Sequence, residues 1–542
     1  MKNKSKGSFK ILIFLFVVVV IVVAIIYYFT RGQKGPGFKE EEKGVGEIKK
    51  VADLLAKGKI LYEKYCMNCH GEKGDGNGIF AKYVYPKPRD FTKGIFKLRS
   101  TPSGKVPTDE DLIITISKGM PGTAMVSFRF LEDNEIRSIV EYIKTFSQKC
   151  SGEKCINFFE VRKSPSVEIP AKLAKTEELL ILGKEFYKEV GCWKCHGEKG
   201  KGDGPQAGEQ KDSWGYPIKV RDFTKGIYLG GNREEDLMKR FLTGMDGTPM
   251  PSFVEGIENV AGPDKEKQRQ LMWGLVYYVK SLEEKDVKIA SPPVDSMVRA
   301  SKVADDFNFA IDAKEWKTAT TYEIPVSRLW QLEENYKILY VKVLYTSTKI
   351  AILVEYDDKT HDTQNYKFGE FQDMVAIQFS RDDKPGFIGM GNKDSPVYIW
   401  LYKPDWQFNI NQNSSKKIYV NLADDLYFLD IVKGDKDLFY TSRAAGNLRL
   451  SQIQFPIENL TAHGAETISS RAISSQNIAG RGMWNNGKWQ VLFIRELKTD
   501  QRDEIQIEPG RKIPIAFAVW DGSQHDRNGQ KLISTWYYLY LE

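Results

Sequence analysis

The chain contains Cys66-Met67-Asn68-Cys69-His70 and, 126 residues further on, Cys192-Trp193-Lys194-Cys195-His196. Two cysteines three positions apart can each form a thioether to one of the two vinyl groups of a porphyrin, and the histidine directly after them can ligate the iron. A zinc or disulfide reading of the same cysteines lacks the further Cys-x-x-Cys that would complete a tetrahedral site. Each stretch therefore predicts one covalent haem c, attached at Cys66 and Cys69 or at Cys192 and Cys195, with His70 and His196 as iron ligands.

Ile11 to Phe29 carries no charge and at helical rise is long enough to cross the hydrocarbon core of a bilayer. Lys2, Lys4, Lys6 and Lys10 precede it, no small-x-small cleavage site closes it, and Tyr27 and Tyr28 stand where an interfacial aromatic belt would lie. The expectation is a cytoplasmic tip and uncleaved transmembrane anchor over 1–35, a single pass of the cytoplasmic (inner) membrane, with the bulk of the chain on its outer, periplasmic face. A cleaved signal peptide is the competing reading. Haem c attachment, which takes place outside energy-conserving membranes, agrees with the outward placement. Residues 36–48, rich in Gly and charge without apolar period, read as a tether. The formal net charge of +7 over 542 residues is small and dispersed, which gives no warrant for a nucleic-acid partner.

Two copies of one plan follow. Gly58-Lys-x-x-Tyr62 leads into Cys66 and Gly183-Lys-x-x-Tyr187 into Cys192, and Arg-Asp-Phe-Thr-Lys-Gly-Ile occurs identically at 89–95 and 221–227. Each copy ends in a helical stripe, Ile136, Ile139, Val140, Ile143 and Phe146 in the first and Leu271, Leu275, Val279 and Leu282 in the second. On these motifs both copies resemble class I cytochrome c domains, which predicts two all-α domains at 49–160 and 161–290. In that family the sixth iron ligand is a methionine on a loop before Pro-x-Phe or a close variant. The resemblance thus implies Met125 and Met250 as ligands, with Met120 and Met245 as runners-up. Sulfur–nitrogen ligation favours ferrous iron and suits electron transfer, and it fills the position a substrate would need.

Cys150 and Cys155 do not repeat the haem motif; in an oxidising compartment they predict a small disulfide ring. After Ser291-Pro-Pro-Val the character changes to strand-like runs at 338–345, 350–356, 374–379, 397–402, 489–494, 513–520 and 535–541, rich in β-branched and aromatic residues. The expectation for 291–542 is an all-β sandwich or barrel.

Within it, Asp373-Met-Val-Ala-Ile-Gln-Phe379, Lys384-Pro-Gly-Phe-Ile-Gly-Met390-Gly-Asn392, Pro396-Val-Tyr-Ile-Trp400, Gly480-Arg-Gly-Met-Trp484, Ala516-Phe-Ala-Val-Trp-Asp-Gly522, Arg527-Asn-Gly-Gln-Lys531 and Ser534-Thr-Trp536 resemble the ethylbenzene dehydrogenase gamma-subunit family. The resemblance implies a β-sandwich holding one non-covalent haem b between Met390 and Lys531, with Lys488 and Lys498, or His361, His463 and His525, as fallback ligands. It further implies an electron-transfer subunit, not itself an enzyme, whose partners are a molybdenum catalytic subunit, an iron–sulfur subunit and other redox carriers. Two other functions compete. One is a dihaem cytochrome c fused to a haem-free ligand-binding β module; the other is a self-contained oxidoreductase with an open haem, which requires one methionine ligand to be missing.

Overall fold

Two helical domains and a β domain succeed one another in a computed structural model that describes residues 38–152, 154–331, 335–365, 367–409, 455–501 and 503–542. The predicted anchor, Ile11 to Phe29, lies outside these residues. Among the described residues no helix is long and apolar enough to cross a membrane. The first helix runs Phe38–Tyr65, so helical backbone extends through most of the segment read as a tether; Lys and Glu, which dominate it, are good helix formers.

The first helical domain continues with Met67–His70, Asp109–Lys118 and Asp133–Phe146. The second repeats the plan with Glu177–Glu189, Trp193–His196, Glu234–Thr243, Val254–Ala261 and Lys265–Ser281. In both, the helix before the haem motif crosses the last helix at a glycine. A Cβ on Gly58 would lie 2.0 Å from the Ser138 carbonyl oxygen, and one on Gly183 would lie 2.0 Å from that of Gly274. Only glycine permits so close a crossing. The tyrosine four residues on, Tyr62 or Tyr187, is buried and donates to the carbonyl of Gly71 or Gly197, both at 2.7 Å. Its hydroxyl thereby pins the first helix to the residue after the histidine. The stripe residues Ile136, Ile139, Val140 and Ile143, and likewise Leu271, Leu275 and Val279, are buried as expected. The first domain is not purely helical, however, because β1 (Gln148–Ser151) and β2 (Lys154–Asn157) form a hairpin. Cys150 and Cys155 face each other across it and are disulfide-bonded.

The β domain comprises β3 (Met297–Lys302), β4 (Tyr322–Arg328), β5 (Tyr336–Tyr345), β6 (Lys349–Asp357), β7 (Met374–Ser380), β8 (Val397–Tyr402), β9 (Ile457–Ala462), β10 (Ser469–Ser470), β11 (Ala479–Asn485), β12 (Lys488–Glu496), β13 (Lys512–Trp520), β14 (Leu532–Ile533) and β15 (Tyr537–Leu541). Its strands are hydrogen-bonded in the order β10-β9-β8-β7-β13-β14-β4-β5-β6-β12-β11, and β15 and β3 form a second link from β13 to β5. Inward residues of the two halves, among them Val341, Ile352, Phe379, Trp400, Trp489 and Ile515, share one core. The outer face of β7, β8 and β13 carries a separate apolar cluster of Ala376, Ile399, Leu401, Ala516 and Trp520. All six residues of β8 are buried, so this sheet is covered on both sides.

A charged network lies inside this fold. The Lys337 ammonium is 2.8 Å from Asp521 and 3.7 Å from Asp358, and Asp373 accepts from the Trp489 indole at 3.0 Å and from the Gly522 amide at 2.8 Å. Burial, and then the Asp358 charge, push Asp373 up to about 7; burial pushes Asp358 up to about 6. Both folded values exceed that of unfolded aspartate, ~3.9. The native chain therefore binds more protons between about pH 4 and 7, and this contribution to stability is lost as pH rises through that window. Denaturant unfolding followed by tryptophan fluorescence should give a higher midpoint at pH 5 than at pH 8. Asp373→Asn should shrink that difference by on the order of 1 kcal/mol or more; an unchanged difference would show that Asp373 does not titrate in this range.

Candidate functional site

The haem motifs adopt one local geometry in both helical domains. The short helices Met67–His70 and Trp193–His196 place both cysteines and the histidine of each motif on the wall of a cavity of about 400 Å³. Cys66, Cys69, Cys192 and Cys195 are all free of disulfides, and burial pushes the Cys66, Cys69 and Cys192 thiols up to about 12. His70 Nδ1 lies 3.0 Å from the Arg89 carbonyl oxygen, and His196 Nδ1 lies 3.0 Å from that of Arg221. A carbonyl only accepts, so each Nδ1 carries the proton and donates it, which leaves Nε2 with its lone pair for a metal. Burial holds both imidazoles down to about 4, hence neutral at ordinary pH. The Phe91 ring stacks on His70 with centroids 4.5 Å apart, and Phe223 on His196 at 4.2 Å. The repeated Arg-Asp-Phe motif thus supplies each histidine with both its hydrogen-bond acceptor and its stacking partner.

Met125 and Met250 lie on matching loops. The Met120 amide donates to the Met125 carbonyl at 2.8 Å, and the Met245 amide to that of Met250 at 3.0 Å. All four methionines line the cavity. The loops turn at Gly119 and Gly244, at φ 67° and 64°, where a Cβ would come within 2.6 Å of the following strand of loop. Free cysteine pairs and a neutral histidine on one side, thioethers on the loops and apolar walls make a donor set that fits a covalently held porphyrin.

In the β domain, Met390 sits at a positive φ of 74° between Gly389 and Gly391 and packs on the outer cluster that contains Trp520. The Lys531 ammonium lies 4.7 Å from the centroid of the Trp520 ring, and desolvation brings this lysine down to about 8. Both expected haem b ligands thus lie against one apolar cluster, and a soft thioether together with an easily deprotonated amine is a donor set that fits haem iron. Among the fallbacks, Lys488 and Lys498 are exposed and lie within ion-pairing distance of Asp357 and Glu508, at 3.7 and 3.5 Å. His463 and His525 are exposed; His361 is also exposed and stacks on Trp484.

The first helical domain docks against this face. Phe80 packs on Phe387 with centroids 4.9 Å apart, and a Cβ on Gly389 would lie 2.8 Å from the Phe80 ring. Lys82 pairs with Glu466 at 2.7 Å and Lys384 with Glu135 at 2.6 Å. Tyr85 bonds through its backbone to Leu329 and Gln331, both at 2.8 Å. Phe387, Ile388 and Gly389 line the same cavity as the two haem motifs. No sequence pattern signalled this continuity, because it arises from docking between domains.

Fold and site define a cytochrome c-type protein with an appended β domain. Models of known families match the chain at residues 55–147 and 181–283, as cytochrome c, and at residues 313–532, as ethylbenzene dehydrogenase. The chain thus carries two cytochrome c domains followed by a domain of the ethylbenzene dehydrogenase family. Dimethylsulfide dehydrogenase subunit gamma of Rhodovulum sulfidophilum is 25% identical over 200 residues, spanning 36% of this chain and 57% of that protein. Chlorate reductase subunit gamma of Ideonella dechloratans is 28% identical over 260 residues, 46% of this chain and 87% of that one. Among solved structures, a reducing HAO-like protein complex of Kuenenia stuttgartiensis is 44% identical over 42% of this chain and 96% of its own, with a TM-score of 0.38.

Proposed function

We propose that this chain is the haem-carrying electron-transfer subunit of a molybdenum oxidoreductase complex, relaying electrons between the catalytic and iron–sulfur subunits and other carriers. Its relatives include gamma subunits of a dimethylsulfide dehydrogenase and a chlorate reductase, and its own six cysteines divide into two haem motifs and one disulfide. That leaves none for an iron–sulfur framework, so substrate chemistry belongs to another chain. The observation that carries the reading is the single cavity lined by both Cys-x-x-Cys-His motifs and by the Phe387–Gly389 loop next to Met390. Bound haem supplies one-electron Fe(III)/Fe(II) chemistry. The chain's part is to hold the histidines neutral, to present thioethers from the loops and to exclude water with apolar walls. We assign two covalent haems c, which His70 with Met125 and His196 with Met250 would ligate, and one haem b, which Met390 and Lys531 would hold. The anchor at Ile11 to Phe29 would tether the assembly to the outer face of the cytoplasmic membrane.

The test is stopped-flow spectroscopy of the full holoprotein with less than one equivalent of reductant. Electrons should redistribute between the b-type and c-type bands at a rate independent of protein concentration. A rate that scales with concentration would mean transfer between molecules, and the relay would be refuted.

A further inference from the structure

The repeated Arg-Asp-Phe-Thr-Lys-Gly-Ile segments do more than orient the histidines, because their arginine side chains leave their own domains. Arg89 reaches into the second domain. Its guanidinium lies 4.3 Å from the centroid of the Trp214 ring, and a Cβ on Gly247, in the loop that ends at Met250, would come within 2.7 Å of its Nη1. Arg221 makes the reverse excursion: a Cβ on Gly122, in the loop that ends at Met125, would lie 3.3 Å from its Nη1. Gly122 and Gly247 hold the same place in the two loops, at φ 72° and 79°. The duplication is thus packed with its arginines exchanged, and Arg89, Arg221 and Lys97 line the shared cavity.

Asp212, Asp90 and Asp246 lie near enough to favour the Arg89 charge, but none of them hydrogen-bonds its Nη1. Arg89 Nη1 is buried without a hydrogen-bond partner. The nearby carboxylates are engaged elsewhere: Asp246 accepts from Arg99 at 2.7 Å and from Ser103 and the Gly104 amide, both at 2.8 Å. Asp212 accepts from the Trp214 and Tyr216 amides at 3.0 Å, and Asp90 and Asp222 cap Thr92 and Thr224. Burial, and then the Arg89 charge, bring Lys97 down to about 8, with Asp212 opposing and Arg221 reinforcing the fall. A porphyrin in either crevice brings two carboxylates into an otherwise apolar cavity, and buried carboxylates demand such partners.

We propose that Arg89 and Arg221, with Lys97, form a carboxylate-binding site between the two cytochrome c domains that takes the propionates of both covalent haems, so that each arginine tunes the haem of the other domain as well as its own. The proposal rests on the haem c reading and deepens it. Removing a shared positive charge stabilises ferric iron at both sites. In the full holoprotein, Arg89→Gln and Arg221→Gln should each lower both haem c midpoint potentials, by about tenfold in the one-electron equilibrium constant, or about 59 mV. Arg89→Lys, which keeps the charge, should stay near the parent values. A shift confined to one haem, or none at either, overturns the proposal. Mass spectrometry of the same denatured samples separates this from failure of the haem reading itself, which would show as fewer than two attached haems in the parent chain. Should either glutamine variant lose a haem, Lys97→Gln carries the same test: both potentials fall, or the shared site is refuted.

Discussion

Denatured and freed of small molecules, the mature chain should weigh two haems more than its polypeptide, and Cys66→Ala/Cys69→Ala or Cys192→Ala/Cys195→Ala should remove one of them. Each pair sits with its histidine on a cavity wall, and burial keeps the thiols unreactive as free groups; thioether formation gives them a purpose that a bare apolar crevice does not. The c-type absorbance should halve in either double variant. The surviving haem should keep its histidine, because His70 and His196 are held by separate carbonyls, those of Arg89 and Arg221. Any mass increment other than two haems in the parent protein rejects the assignment.

Extraction with acidified solvent should release one further haem per chain, and Met390→Ala or Lys531→Ala should cut that yield severely. Met390 lies on the outer face of β7, β8 and β13, and Lys531 lies over Trp520 on the same face. The backbone at Met390 is already in a left-handed conformation that an alkyl side chain adopts at a cost of about 1 kcal/mol or more, strain that metal ligation would offset. Spectra separate the alternatives: a histidine spectrum would move the assignment to His361, His463 or His525. A chain with no extractable haem would convert the β domain into a ligand-binding module and remove the third redox centre.

Much of this could be read from the residues. The Cys-x-x-Cys-His motifs located both crevices because the chemistry of attachment fixes their spacing. The strands at 338–345, 350–356, 397–402 and 513–520 announced themselves through continuous β-branched and aromatic runs. Others were silent for physical reasons. β4 contains Pro325, which breaks a strand signal, and β11 contains Gly480 and Gly482, which read as turns. Gly480 is needed there because a Cβ would fall 2.1 Å from the Leu492 carbonyl oxygen across the sheet. The Gly-Lys-x-x-Tyr repeat was visible as a repeat, but its cause, a helix crossing at Gly58 and Gly183, exists only once the helices meet. The disulfide was expected from cysteine accounting, whereas the hairpin that carries it was not. Nor could any pattern have revealed that Arg89 and Arg221 trade domains, since exchange between copies is a property of docking.

The common cavity also constrains the order in which the molecule can be made. Its walls come from both helical domains and from the loop before Met390, so no single domain encloses it alone. A haem joined to these cysteines would have to reach a cavity that the docked domains close around, where all four cysteines are part-buried. On the haem c reading, attachment would come before the domains dock, and the haems c would then be enclosed by more than one domain.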